Sequence, residues 1–397
     1  MKELIVTLLA TLATQSLSSM AVFTPAILAP VASGDIGIAA TAIGAFTALV
    51  YLLASLSAPI GGTFVARYGA VRVSQVCLML AAAGLAICGF AHLAAVIAGA
   101  VLIGMGYGPV TPASSALLVE RTPDRLRNLI MSIRQTGVPV GGAVAGAVVP
   151  WLALAAGWRT AVLIVAGLTL AFAFALQAIR GTYDHAGVRH KMKRPPLAAM
   201  LRMVFDHPQL RRVSFTSFAY AGMQMCLASY LVVFLTGSAG LSMIDAGAAL
   251  AAAMIAGIVG RVLWGVVADY ADNARSVLAL LGVVMAACTL LLTLVTAAWP
   301  FSAVLLLCVV YGATAIGWNG VYVAEVARVA PEGNVAIATG ASLAFTYSGV
   351  VVTPIFFWAI VTATASYAAA FGSMALVTLV AAVSIMRKPL AVPLTRA

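Results

Sequence analysis

Apolar positions in this chain run in long, nearly unbroken stretches, and polar positions gather in short breaks between them. Twelve stretches can be marked, over residues 4–31, 38–65, 73–92, 94–119, 128–155, 160–180, 211–236, 245–269, 276–297, 301–327, 334–362 and 366–386. A helix that crosses a bilayer needs roughly 20 predominantly apolar residues. The pattern therefore predicts an all-α membrane protein with twelve transmembrane helices. The first stretch contains "PVASGD", which looks like a cleavage region, but the run is longer than the roughly 7–15 residues of a signal-peptide core and holds Pro25 and Pro30. It reads as the first membrane helix.

One polar stretch is long, "RGTYDHAGVRHKMKRPPLAAMLRMVFDHPQLRR". It divides the chain into a six-helix bundle over residues 1–181, a cytoplasmic linker over 182–210 and a second six-helix bundle over 211–397. Residues 197–205 within it read as a short amphipathic helix lying on the membrane surface.

Composition sharpens this picture. Only 8% of residues are charged and 63% are hydrophobic, whereas a soluble domain carries about 25% charged residues. Lipid must be the main solvent and a partner of the chain. The net charge of +11 does not call for nucleic acid, because its distribution has another cause. With the N-terminus inside, all but three of the 22 Lys and Arg fall in cytoplasmic segments; the exceptions are Arg159, on the outer side, and Arg134 and Arg261, within spans. Basic loops facing the cytoplasm are the positive-inside pattern. The expectation is a multi-pass protein of the inner (plasma) membrane, a monomer, with both termini cytoplasmic.

Little in the sequence points to catalysis. The five cysteines lie in apolar runs with no CxxC pair, and the four histidines lie in loops or the linker. No Walker loop, DNA-binding motif or nucleophile–base constellation is visible, so no enzyme activity, cofactor or metal is expected.

The two halves echo each other. "GGTFVARYGAVR" closes the second stretch and "GVVADYADNAR" the eighth; "VERTPDRLRN" is answered by "AEVARVAPEGN"; Pro150 in the fifth is answered by Pro354 in the eleventh. Repeated halves are a transporter signature, with the substrate site near midplane between them.

These motifs resemble the major facilitator superfamily across essentially the whole chain. Its loop motif G-x-x-x-D-R-x-G-x-x-R/K is matched by Gly62, Arg67, Gly69 and Arg72, with Ala66 in place of the Asp. The second copy keeps Asp269 with Gly265 and Arg275, and has Asp272 where the second Gly is usual. "GRVLWGVVAD" is similar to the eighth helix of the oxalate/formate and monocarboxylate branches, where an arginine meets the substrate carboxylate. "SIRQTGVPVGG" resembles the fifth helix of organic-anion and cyanate-type carriers. The resemblance implies two pseudo-symmetric bundles around a cavity that opens to one side at a time.

The residues agree with an anionic cargo. An arginine in a spanning helix costs at least about 2.5 kcal/mol on insertion scales and marks a site. Arg134 lies roughly 9 Å along the helix from Asn128, and Arg261 roughly 12 Å from Asp269. A guanidinium binds carboxylate bidentately and stays charged. The alternative is that each arginine is a lock on a helix-end carbonyl or on a carboxylate such as Glu120 or Glu325. No carboxylate or histidine lies at the middle of a span, which disfavours a cation cargo and a protein-borne proton site. Asp269, Glu325, Arg328 and Arg67 read as a cytoplasmic gate network. Gln15, Tyr230, Asn319 and Tyr347 are the polar span residues expected to join Arg134 and Arg261 at the substrate. Gly137, Gly141, Gly142 and Gly146 form a small-residue stripe for close helix approach.

The function expected is alternating-access transport of a small organic anion, a mono- or dicarboxylate, by exchange or substrate-linked proton symport, with uptake favoured. A drug or metabolite exporter, and a non-transporting sensor on the same scaffold, are the alternatives.

Overall fold

The computed structural model describes residues 2–123, 126–184, 197–271, 273–331 and 335–387. Much of the expected linker (185–196), Asp272 of the second loop motif, and residues 388–397 lie outside these. Twelve helical segments are long and apolar enough to span a membrane, in the places where the hydropathy pattern put them.

The first half comprises α1 (Lys2–Ile36), α2 (Ile43–Tyr68), α3 (Ala70–Cys88), α4 (Leu93–Tyr107), α5 (Val110–Val119), α6 (Arg127–Gln135), α7 (Gly137–Ala156), α8 (Trp158–Ala175) and α9 (Gln177–Tyr183). A connecting helix, α10 (Leu197–Asp206), follows. The second half comprises α11 (Pro208–Gly237), α12 (Met243–Ala271), α13 (Ala274–Leu292), α14 (Phe301–Ala315), α15 (Asn319–Val329), α16 (Val335–Thr364) and α17 (Tyr367–Met386). Four spans are thus each built from two helices with an interruption: α4–α5, α6–α7, α8–α9 and α14–α15.

The short helix predicted in the linker exists as α10. It docks on α11 and α16, with Val204 buried and the Phe205 ring edge-on to Phe345 at 5.8 Å. Val204 thus packs against the second half, while Phe205 stays more than half exposed.

Large apolar side chains such as Leu56, Leu154, Val259 and Leu306 stand exposed on the outside of the bundle, as a lipid-facing surface requires. The interior is knit by small residues. A Cβ on Gly141 would sit 2.1 Å from the Ser16 carbonyl oxygen of α1, and one on Gly146 would sit 2.7 Å from the Gly247 carbonyl oxygen of α12. The glycine stripe of α7 thus presents two faces, one to its own half and one across to the other. This is what close backbone approach in a membrane needs.

The halves meet along α7 and α12, along α2 and α16, and along α1 and α11. Their tightest seal lies at the end opposite the basic loops. There a Cβ on Gly44 would lie 2.5 Å from the Pro354 carbonyl oxygen, and one on Gly247 would lie 2.5 Å from Pro150 Cγ. These two glycine–proline contacts occupy matching places in the two repeats. Tyr230 Oη donates to the Pro354 carbonyl at 2.8 Å, and Ser229 donates to Thr47 across the halves at 3.1 Å.

At the basic end the repeats diverge. In the second half Glu325 is fully buried and accepts from Arg275 Nε at 2.6 Å and from Arg328 Nη2 at 2.7 Å, while Arg275 Nη2 donates to Gln209 at 2.6 Å. In the first half its counterpart Glu120 is half exposed and pairs with its neighbour Arg121 at 3.1 Å. There Asp184 does the tying: it accepts from the backbone N–H groups of Val71 and Arg72 at 2.8 and 2.9 Å, at the start of α3. Gly69, at φ +91°, leaves room for that carboxylate, since a Cβ would lie 2.3 Å from its Cγ.

Candidate functional site

Arg134 is the last basic residue of α6 and is only 2% exposed. Gly137 makes its position possible, because the start of α7 approaches α1 so closely that a Cβ there would lie 2.8 Å from Gln15 Cβ. Arg134 Nη2 donates to Gln15 Oε1 at 2.9 Å and to Thr111 Oγ1 of α5 at 3.1 Å. Its Nε is buried with no hydrogen-bond partner. Both of these acceptors are neutral. Glu120 and Glu325, the carboxylates considered as locks for this arginine, are paired instead with Arg121 and with Arg275 and Arg328. Burying a charge without an opposite charge costs several kcal/mol, and no carboxylate among the described residues offsets that cost at Arg134.

Tyr107 and Tyr347 both lie within electrostatic reach of the Arg134 guanidinium. Tyr51 stands edge-on to Tyr107 with ring centroids 5.5 Å apart. Tyr347, on α16, belongs to the other half and is half exposed.

Arg261, on α12 of the other half, is half-buried and also has no carboxylate among its hydrogen-bond partners. Its Nε donates to the Ile316 carbonyl at 3.2 Å and its Nη1 to the Gln135 carbonyl at 3.1 Å. Both carbonyls end broken helices. Ile316 lies in the interruption between α14 and α15, where Asn319 Nδ2 donates to the same oxygen at 3.3 Å. Gln135 is the last residue of α6. Pro139, four residues on, has no N–H to close a helical bond onto the Gln135 carbonyl, and Arg261 supplies the missing donor. A cation at the C-terminal end of a helix is favoured by the backbone dipoles as well. Tyr107 is within electrostatic reach of this guanidinium too.

The site residues expected from sequence therefore separate into groups. Gln15, Arg134 and Tyr347 come together. Arg261 and Asn319 meet at Ile316, and join the first group through Gln135 and Tyr107. Tyr230 is placed elsewhere: it is fully buried in the seal, stacked on Phe357 at 4.1 Å, with its hydroxyl spent on Pro354. Of the four expected gate residues, Glu325 and Arg328 form an ion-pair network, but it ties α11, α13 and α15 within one half and does not bridge the halves. Asp269 is exposed on the last turns of α12 and lines the same cavity as Arg275, Glu325 and Arg328, whose ion pairs are made without it. Arg67 is exposed over the Tyr68 ring at 5.2 Å; with Ala66 where the motif has Asp, that copy lacks its own carboxylate.

Thr111 and the Gln135 carbonyl were not singled out from sequence. Pro139 was the available signal for the last, since a proline one turn after an intramembrane residue frees that residue's carbonyl. Among the described residues no group of three or more His, Cys, Asp or Glu side chains is placed to hold a metal ion.

The sequence pattern of the Major Facilitator Superfamily matches residues 11–354. The chain belongs to the major facilitator superfamily. Among curated members it is similar to the hexuronate transporter of Bacillus subtilis, 24% identical over 253 residues, covering 62% of this chain and 59% of that protein. It is also similar to the probable sulfoacetate transporter of Cupriavidus necator, 25% identical over 259 residues, covering 61% of this chain and 60% of the relative. The matches thus span about three-fifths of these relatives' lengths. Solved structures share the fold. A bacterial homologue of the human lysosomal transporter Spinster, inward-facing and unoccupied, superposes with a TM-score of 0.74 at 14% identity over 96% of this chain and 95% of that one. A POT family transporter in complex with 5-aminolevulinic acid gives 0.75 at 11% identity over 96% and 95%.

Proposed function

We propose that this protein is a secondary transporter that moves a small organic anion, a mono- or dicarboxylate, across the inner membrane, with the Arg134 site exposed alternately to the two sides. One observation carries the reading: Arg134 is buried between the halves with only neutral hydrogen-bond acceptors and an unpartnered Nε. An anion is the missing counter-charge, and a guanidinium held by Gln15 and Thr111 is already oriented to receive one. Tyr107, Tyr347 and Asn319 supply hydroxyl and amide groups for the rest of the cargo. That the two relatives are named for a hexuronate and for sulfoacetate, both organic anions, supports the class. The positive-inside pattern supports cytoplasmic termini, and uptake is the favoured direction.

Spans without a central carboxylate or histidine favour exchange, or proton movement carried on the cargo's own acid group. In proteoliposomes, internal anion should therefore accelerate uptake of labelled external anion with no pH gradient imposed. The purified protein should be stabilised thermally by members of a panel of mono- and dicarboxylates, and Arg134→Ala should abolish the shift. Stabilisation by organic cations alone would overturn the reading. Binding without flux in proteoliposomes would make the protein a sensor rather than a carrier.

A further inference from the structure

Arg261 and Arg134 both lack a carboxylate, yet they are held differently. Arg134 has an unpartnered nitrogen, whereas Arg261 spends Nε and Nη1 on two helix-end carbonyls. One of these, Gln135, belongs to the opposite half and directly follows Arg134 in the chain. That carbonyl is free only because Pro139 cannot donate to it. Nη1 of Arg261 is thus a cross-half replacement for a missing helix hydrogen bond, and it is made on the residue next to the anion anchor.

The geometry points to Arg261 as a cargo-sensitive clasp: a positioning residue that fastens α12 to the α6–α7 interruption while the site is empty and is drawn off the Gln135 carbonyl when an anion seats on Arg134. This rests on the anion-carrier reading above and adds what makes the empty carrier reluctant to reorient. A hydrogen bond from a guanidinium to a neutral carbonyl is weaker than one to a carboxylate, so the clasp yields when the Gln135 carbonyl that accepts it is displaced. Gln135 directly follows Arg134 at the end of α6, and α6 and α7 are separate helices joined at Thr136, so engagement of Arg134 shifts the Gln135 carbonyl with it. In the loaded carrier the bond between the halves is released and the halves separate more readily.

Two variants remove the clasp by different routes. Arg261→Ala deletes the donor. Pro139→Ala leaves every charge in place and restores an N–H that closes onto Gln135, competing with Arg261. Each is reconstituted, and uptake of a labelled carboxylate that stabilises the wild-type protein is measured with and without the same anion inside. In wild type the ratio of exchange to net uptake is high. In both variants net uptake should rise toward the exchange rate, lowering the ratio about ten-fold, as expected for loss of one hydrogen bond to a charged group. Arg261→Lys, which keeps a donor on a flexible stem, should restore part of the ratio. Equilibrium binding to both clasp variants should stay within a few-fold of wild type, while Arg134→Ala loses it. If Arg261→Ala loses binding as completely as Arg134→Ala, Arg261 is a cargo ligand and the clasp is wrong. If both clasp variants keep the wild-type ratio, the clasp is also wrong. If Arg134→Ala binds anion normally, the failure lies in the anion-carrier reading itself.

Discussion

Replacing Gly44 by alanine should hold the end opposite the basic loops open. In the sealed state the new Cβ would lie 1.7 Å from Tyr230 Oη, 2.7 Å from Tyr230 Cζ and 2.5 Å from the Pro354 carbonyl oxygen. None of these separations is tolerable, and Pro354 presents backbone, so α2 must withdraw from α11 and α16. Overpacking of this kind costs about 1–3 kcal/mol; the Tyr230–Pro354 hydrogen bond lies within the second half and is kept when α2 withdraws. The penalty falls only on the sealed state, which shifts the balance toward the open state by roughly 5- to 140-fold. Thr47 is 3% exposed within the seal and serves as the reporter position. A Thr47→Cys protein should react slowly with a membrane-impermeant thiol reagent, and Thr47→Cys with Gly44→Ala at least about five-fold faster. The five native cysteines are buried and give little background. Adding Tyr230→Phe removes the nearest atom and should restore part of the protection; the Pro354 carbonyl keeps it from restoring all. Gly34→Ala, at the same end with nothing within 4 Å of its Cβ, is the control and should change nothing. Gly247→Ala meets Gly146 and Pro150 in the other half-interface and should reproduce the Gly44→Ala effect. Labelling and transport by Gly44→Ala at wild-type rates would refute the claim that this contact is the seal.

Arg134→Lys should fold but bind carboxylate about 30-fold more weakly, because the fork held by Gln15 and Thr111 is lost; unchanged affinity by calorimetry would contradict the assignment of the anchor. Glu325→Gln leaves Arg275 and Arg328 without their shared carboxylate and should cost roughly 3 kcal/mol, toward the low end for a buried pair because Arg328 reaches solvent. Asp269→Asn should change stability by less than about 0.5 kcal/mol; thermal unfolding that ranks the two variants the other way would move the network to Asp269. Asp184→Ala removes the acceptor at the start of α3 and should cost about 1 kcal/mol, as for loss of an N-cap. Faster hydrogen exchange at Val71 and Arg72 would confirm that role, and unchanged exchange would remove it.

The number of spans, their approximate ends and the presence of two arginines within them were readable in the chain. Each depends on a local or additive property: lipid demands about 20 apolar residues in a row, and a guanidinium within such a run demands a partner. Which partner it has is not local. Arg134 and Arg261 look alike in sequence, yet one meets the neutral side chains of Gln15 and Thr111 and the other two helix-end carbonyls, because residues 23 to 126 positions apart are brought together by helix packing. Tyr230 looked like a cavity residue and became part of a seal for the same reason: only the approach of α2, through Gly44, decides which way a tyrosine of α11 is enclosed. Asp269 matched a family motif, but the buried carboxylate position beside Arg275 is filled by Glu325, which the packing of α13 against α15 brings into reach. Apolar length is written residue by residue along the chain. The pairing of charges across helices depends on distances of 3 Å, which the tertiary structure alone sets.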